Sequence, residues 1–235
     1  MTRHLLTAST AMVLIAAAPA FAASIVPGCG ADVATPPPTP YVALRHLEAR
    51  TERGGRSGWI DVRTTLTRDG RFVYEVLQEG GSEQVREKAL IAALDREKEL
   101  VARGGAVHLP ALLTSYACGA AQPEAGGLMR VAIHPREPSK NLVNGTLLLD
   151  PRTGSVLQIT GALSKNPSFW VSDVEMEWTY AAIAGVVLPT AVQARARVKF
   201  VGPSTFSMTY RYISVGGQSI SEGRLAEASI TDRRQ

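Results

Sequence analysis

From Trp59 to Tyr212 apolar and polar residues alternate at every second position, segment after segment, a period that fits strands burying one face only. Ile60, Val62, Thr64 and Leu66 share one face of the segment 59–66, while Asp61, Arg63 and Thr65 take the other. Phe72, Tyr74 and Val76 repeat the pattern in 71–78, and Met129, Val131 and Ile133 repeat it in 127–134. Runs at 142–150 and 154–163 flank Pro151-Arg152-Thr153-Gly154, which reads as a hairpin connection. The last quarter is the most regular. Val174, Met176, Trp178 and Tyr180 are followed by Val192, Ala194, Ala196, Val198 and Phe200, then by Phe206, Met208, Tyr210 and Tyr212. With the run 42–51 the count reaches eight or nine strands.

One segment breaks the period. Gly80-Gly81 ends a strand, Ser82 is a good N-cap, and Ala89, Leu90, Ala93, Leu94, Leu100 and Val101 form an apolar stripe at helical spacing. Arg86 and Glu97 interrupt that stripe, and Gly104-Gly105 stops the helix. The chain is therefore expected to be mainly β with one long helix (α+β), an antiparallel sheet carrying the helix of about residues 82–102 on its apolar side. A helix of about twenty residues is about 30 Å long. It spans several strands but not eight or nine. The remaining apolar surface must be covered by loops, by a partner, by a ligand, or by the sheet curling on its own interior.

The ends read differently. Residues 1–22 have a basic start (Arg3, His4), a short apolar stretch and Ala20-Phe21-Ala22, the pattern of a cleaved export signal, so a periplasmic location is expected. No later segment is apolar for long enough to span a bilayer. Residues 23–40 form a Pro-rich N-terminal arm, 41–215 the folded domain, and 216–235 a polar tail expected to be disordered. Cys29 and Cys118 are the two cysteines; in an oxidising compartment they are a candidate disulfide, with free thiols or a lipidated Cys29 as the alternatives. The net charge of +4, reduced by loss of Arg3 with the signal, argues against a nucleic-acid partner.

No constellation for catalysis emerges. Beyond His4, the histidines His46, His108 and His134 lie on separate segments without the spacing of a metal site, so neither metal nor cofactor is expected. G-x-S-x-G, P-loop and G-x-G-x-x-G motifs are absent, and Glu175 and Glu177 alternate with apolar residues rather than face each other across a cleft. The chain is read as a non-enzyme. Arg195, Arg197 and Lys199 form a basic stripe, suited either to an anionic head group or to cross-strand pairing. In the second case Asp173, Glu175 and Glu177 face Lys199, Arg197 and Arg195 in a hairpin around Gly185-Val186. Aromatic residues crowd between Phe169 and Tyr212, either as core or as the lining of an apolar pocket.

The stretches Trp59-Ile-Asp-Val, Tyr74-Glu-Val, Glu79-Gly-Gly-Ser82, Asn166-Pro-Ser-Phe-Trp170-Val and Gly202-Pro-Ser-Thr-Phe206-Ser-Met-Thr-Tyr210, with the strand meander and early helix, resemble the lipoprotein-carrier superfamily of the LolA and LolB type. The resemblance covers about residues 41–215. It implies a half-open β-barrel with a helix across its concave face, and a hydrophobic cavity that accepts a lipid, an acyl chain or a lipidated peptide. No position of this sequence is equated with the arginine that closes the lid in that family. On this reading the cavity is lined by Phe72, Tyr74, Leu90, Leu94, Met129, Val131, Trp170, Met176, Trp178, Phe206, Met208 and Tyr210. The alternative is a sensory or scaffolding module of the cell envelope that binds a protein partner.

Overall fold

A computed structural model of the chain describes residues 38–104 and 109–221. The signal-like segment, most of the Pro-rich arm, Cys29, His108 and residues 222–235 lie outside the described residues. The fold is one antiparallel sheet. Its strands are β1 (Tyr41–Thr51), β2 (Ser57–Leu66), β3 (Phe72–Gly81), β4 (Tyr116–Glu124), β5 (Leu128–Pro135), β6 (Val143–Asp150), β7 (Ser155–Leu163), β8 (Val171–Ile183), β9 (Val186–Val198), β10 (Gly202–Val215) and the short β11 (Gln218–Ser219). Their order is β3-β2-β1-β10-β9-β8-β7-β6-β5-β4, with β11 beside β10. The chain thus makes two meanders, and β10 zips the second onto the first by pairing with β1. Strands β3 and β4 stay unpaired with each other, so the sheet is open.

Helix α1 follows β3 and runs as Glu83–Val85, a π-helical stretch Arg86–Ile91 and Ala92–Ala102. It packs on β1, β2 and β3. Ser82 ends the strand in an extended conformation without a side-chain capping bond; its carbonyl accepts from the Val85 and Arg86 amides instead. Close docking depends on Gly58, where a Cβ would press on Val85, Arg86 and the Ser82 carbonyl. A second helix, α2 (Leu109–Thr114), covers the other meander.

The two helices divide the interior. Leu47, Ile60, Val62, Leu90, Leu94 and Met208 belong to one buried cluster. Leu113, Tyr116, Val131, Ile133, Leu147 and Ile159 belong to the other. Met176 and Trp178 on β8 are half-buried and touch both.

Four expectations are corrected. Strand β4 was not foreseen, because Tyr116-Ala-Cys-Gly-Ala-Ala-Gln-Pro-Glu lacks alternation; it is an edge strand, where Pro123 is tolerated. Glu175 faces Arg195, not Arg197, because a bulge between Ser172 and Glu175 shifts the β8–β9 register. Asp173, held at φ 52° in that bulge, reaches Arg197 at 3.3 Å instead. The turn is Ala184-Gly185, both at positive φ as a two-residue hairpin requires. Finally, β11 extends the sheet past residue 215, where a mobile tail was expected.

Strands β6 and β7 approach closely at Gly145 and Gly161, where a Cβ on either would strike the backbone of the other. Gly145→Ala should therefore cost about 1–3 kcal/mol through overpacking. Urea denaturation checks this; an unchanged midpoint would mean that the strands separate freely there.

Candidate functional site

Alternation along β1 places Ala43, Arg45, Leu47 and Ala49 on the face beneath α1, and all four are buried. Three are ordinary core residues. Arg45 is not: its side chain is 0% exposed. Arg45 Nη1 donates to Glu97 Oε2 at 2.6 Å and Nη2 to Glu97 Oε1 at 3.1 Å, a bidentate pair with a residue of α1. Nη2 also donates to the Tyr41 hydroxyl at 2.7 Å, and Nη1 lies 3.8 Å from the Met208 sulfur. The guanidinium stands over Tyr210 at 4.5 Å and Phe72 at 5.1 Å from the ring centroids. Arg45 Nε is buried without a hydrogen-bond partner among the described residues.

Burial works against this charge, but Glu97, Tyr210 and Tyr41 outweigh it and hold Arg45 ionised, well above its ordinary pKa. Burial also pushes the Tyr41 phenol up to about 12, against the opposing pull of Arg45. Two further contacts fasten the helix. Tyr74 donates to Asp95 at 2.6 Å, and Arg86 bridges to Glu79 at 3.1 Å while donating to the Gly81 carbonyl. Arg86 and Glu97, the residues that interrupt the apolar stripe of α1, are thus its ionic docking points.

The structure gathers most of the residues expected to line a cavity. Phe72, Leu90, Leu94 and Met208 are buried in the cluster under α1, with Tyr74, Phe206 and Tyr210 half-buried against it. Met129 and Val131 belong to the cluster of the second meander. Met176 and Trp178 sit at the junction, on the strip of β8–β10 between the two helices, with Ala194 and Phe206 as neighbours across the strands. Trp170 is misplaced in the expected set: it is 53% exposed, in the loop between β7 and β8, because it precedes the strand instead of sharing its inner face. Under α1 the apolar side chains are packed, Leu47, Ile60, Val62 and Leu90 being fully inaccessible.

Two clefts, of about 490 and 580 Å³, open on the face away from α1. The first holds His46, whose Nδ1 lies 2.7 Å from Asp61 Oδ1 across β1 and β2. The second contains Arg195 with Glu175 and Glu48, so the basic stripe lies among acids. Cys118 is disulfide-bonded, and Cys29 lies outside the described residues. Among the described residues no three His, Cys, Asp or Glu side chains converge as a metal site requires, and no helix is long and apolar enough to cross a membrane.

No protein-family model and no curated protein matches the chain. Among solved structures, the crystal structure of a DUF1329 family protein from Desulfovibrio piger is similar over 73% of this chain and 84% of that one. The identity is 10% and the TM-score 0.35, too low to carry an argument about the site.

Sequence reasoning missed Arg45 and Glu97, although both leave a signal: a charge at an inward position of a strand and a charge inside an apolar helical stripe. Removing one partner strands a buried ion. Glu97→Gln should cost about 3–5 kcal/mol in chemical denaturation, whereas the double change Arg45→Met with Glu97→Leu should be near neutral or stabilising. A second expectation concerns pH. The raised Tyr41 pKa favours the neutral phenol in the fold, so its stabilising contribution is complete below pH 10.0, the ordinary tyrosine value, and is lost as pH rises through about 12. The urea midpoint should hold from pH 7 to 9 and fall between pH 10 and 12, less steeply in Tyr41→Phe.

Proposed function

We propose that the chain is a periplasmic carrier that holds an apolar ligand, an acyl chain or a lipidated peptide, between α1 and the sheet. The observation that carries this reading is the Arg45–Glu97 pair. A buried ion pair is a poor way to glue a helix to a sheet, since apolar residues of similar volume do so at least as well. It is a good way to make docking two-state: the helix is either in register with both oxygens on the guanidinium or released. Release would uncover Leu47, Ile60 and Val62 beside the half-buried strip Met176, Trp178 and Phe206. An acyl chain laid there is stabilised by about 25 cal/mol per Å² of apolar surface that it removes from water. The π-helical stretch at Arg86–Ile91, a feature frequent at functional sites, supports a helix built to move. The resemblance to lipoprotein carriers supports the same reading.

Organic extraction of the natively purified protein, read by mass spectrometry, should yield a stoichiometric lipid or acylated molecule. In a titration with a fluorescent fatty acid, Glu97→Gln should bind at least about tenfold more tightly than the wild type, because a larger fraction of molecules is already open. A clean extract, with no probe bound by either protein, would sink the proposal.

A further inference from the structure

Antiparallel pairing brings the loops 52–56, 136–142, 164–170 and 199–201 to one end of the sheet. This end carries an aromatic knob. Phe169 is 76% exposed, Trp170 53% and Phe200 79%. The three rings touch in sequence, Phe169 against Trp170 at 5.4 Å and Trp170 against Phe200 at 5.7 Å between centroids. The two loops that carry them are joined by a hydrogen bond from the Lys199 amide to the Trp170 carbonyl, 2.8 Å long. The Lys199 ammonium lies 3.1 Å from the Phe169 centroid and 5.9 Å from that of Trp170.

Folding does not explain this knob. None of the three rings belongs to a buried cluster. Phe200 also sits at φ 70°, a left-handed conformation in which a bulky side chain is a rare outlier and glycine is at ease. The turn would form more readily with Gly at 200, so an exposed ring is kept there against the preference of the backbone. The four loops are also basic, with Arg53, Arg56, Arg136, Lys140, Lys165 and Lys199 against Glu52 and Glu137.

We propose that this end of the sheet docks on an anionic lipid surface, with Phe169, Trp170 and Phe200 entering the interface and the basic loops facing the head groups. Aromatic rings and amphipathic lysines are the side chains that suit a boundary between water and hydrocarbon. Juxtaposed basic residues add attraction to an anionic surface. A protein partner fits less well, because charge is depleted at the centre of protein interfaces, whereas here an ammonium sits directly over the Phe169 ring within the knob. The inference stands apart from ligand carriage. Vesicle binding and ligand extraction are separate readouts, so either can fail alone.

Co-sedimentation of the purified full chain with phosphatidylcholine vesicles containing about 30 mol% phosphatidylglycerol tests it, since the attraction is to anionic head groups. The wild type should bind these vesicles, and binding should weaken with salt and with omission of the anionic lipid. The triple variant Phe169→Ser, Trp170→Ser, Phe200→Gly should lose at least about tenfold in partition, as expected when the inserted apolar area is removed. It should melt no lower than the wild type, because Gly at 200 relieves the backbone. Lys165→Gln with Lys199→Gln should lose affinity for the anionic vesicles alone. A wild type that stays in the supernatant, or a folded triple variant that binds undiminished, would overturn the proposal.

Discussion

One guanidinium organises the helix-bearing half of this molecule. Arg45 reaches inward from the strand that joins the two meanders and is surrounded by Tyr41, Phe72, Met208 and Tyr210, which come from β1, β3 and β10. Among the described residues only Glu97 answers its charge, and Glu97 belongs to the helix. The position of α1 is therefore tied to the electrostatics of a site that could not be desolvated without it. Hydrophobic contact alone would let a helix of mixed polarity slide or rotate on a flat apolar sheet. A bidentate pair fixes one register and makes departures from it abrupt.

The rest of the architecture follows from where that helix is not. Attached to β1, β2 and β3, it leaves the central strands β8–β10 with side chains of intermediate burial, while α2 guards the second meander. Met176 and Trp178 consequently belong to both clusters and fully to neither. A sheet of this width with a single long helix has to leave such a seam. The opposite face differs: it carries charged rows, Glu48, Glu175 and Arg195 among them, and Asp173 and Arg197 pair across a bulge.

Much of this was legible in the sequence, for identifiable reasons. Period-two alternation located nearly every strand because most strands bury one face, and Gly80-Gly81 and Gly104 bracketed the helix. Strand β4 was hidden because an edge strand need not alternate, and the β8–β9 register because a bulge at Asp173 obeys no pattern that a residue count reveals. Burial was legible where inward positions recur, as at Met176, Trp178, Phe206 and Met208, and not at Trp170, which precedes its strand. Arg45 and Glu97 were each visible as an interruption of an apolar pattern. What the pattern lacked was their meeting, because β1 and α1 are 52 residues apart at this contact and pairing of that kind is a property of the folded chain.

The two charged interruptions of the helical stripe also differ in a way that bears on how the helix would move. Arg86 sits near the start of α1, beside the Gly81 carbonyl and Glu79 on the strand that leads directly into it. That contact spans few residues in sequence. Glu97 lies near the far end and binds a strand that the chain reaches only through tertiary packing. Loss of both distal contacts, Glu97 with Arg45 and Asp95 with Tyr74, with retention of the proximal one would leave α1 hinged at its N-terminus, where the π-helical stretch Arg86–Ile91 already departs from regular geometry. Opening would then begin from the Ala92–Ala102 end, over Leu94 and Leu90, the two residues of the helix most deeply inserted between it and the sheet.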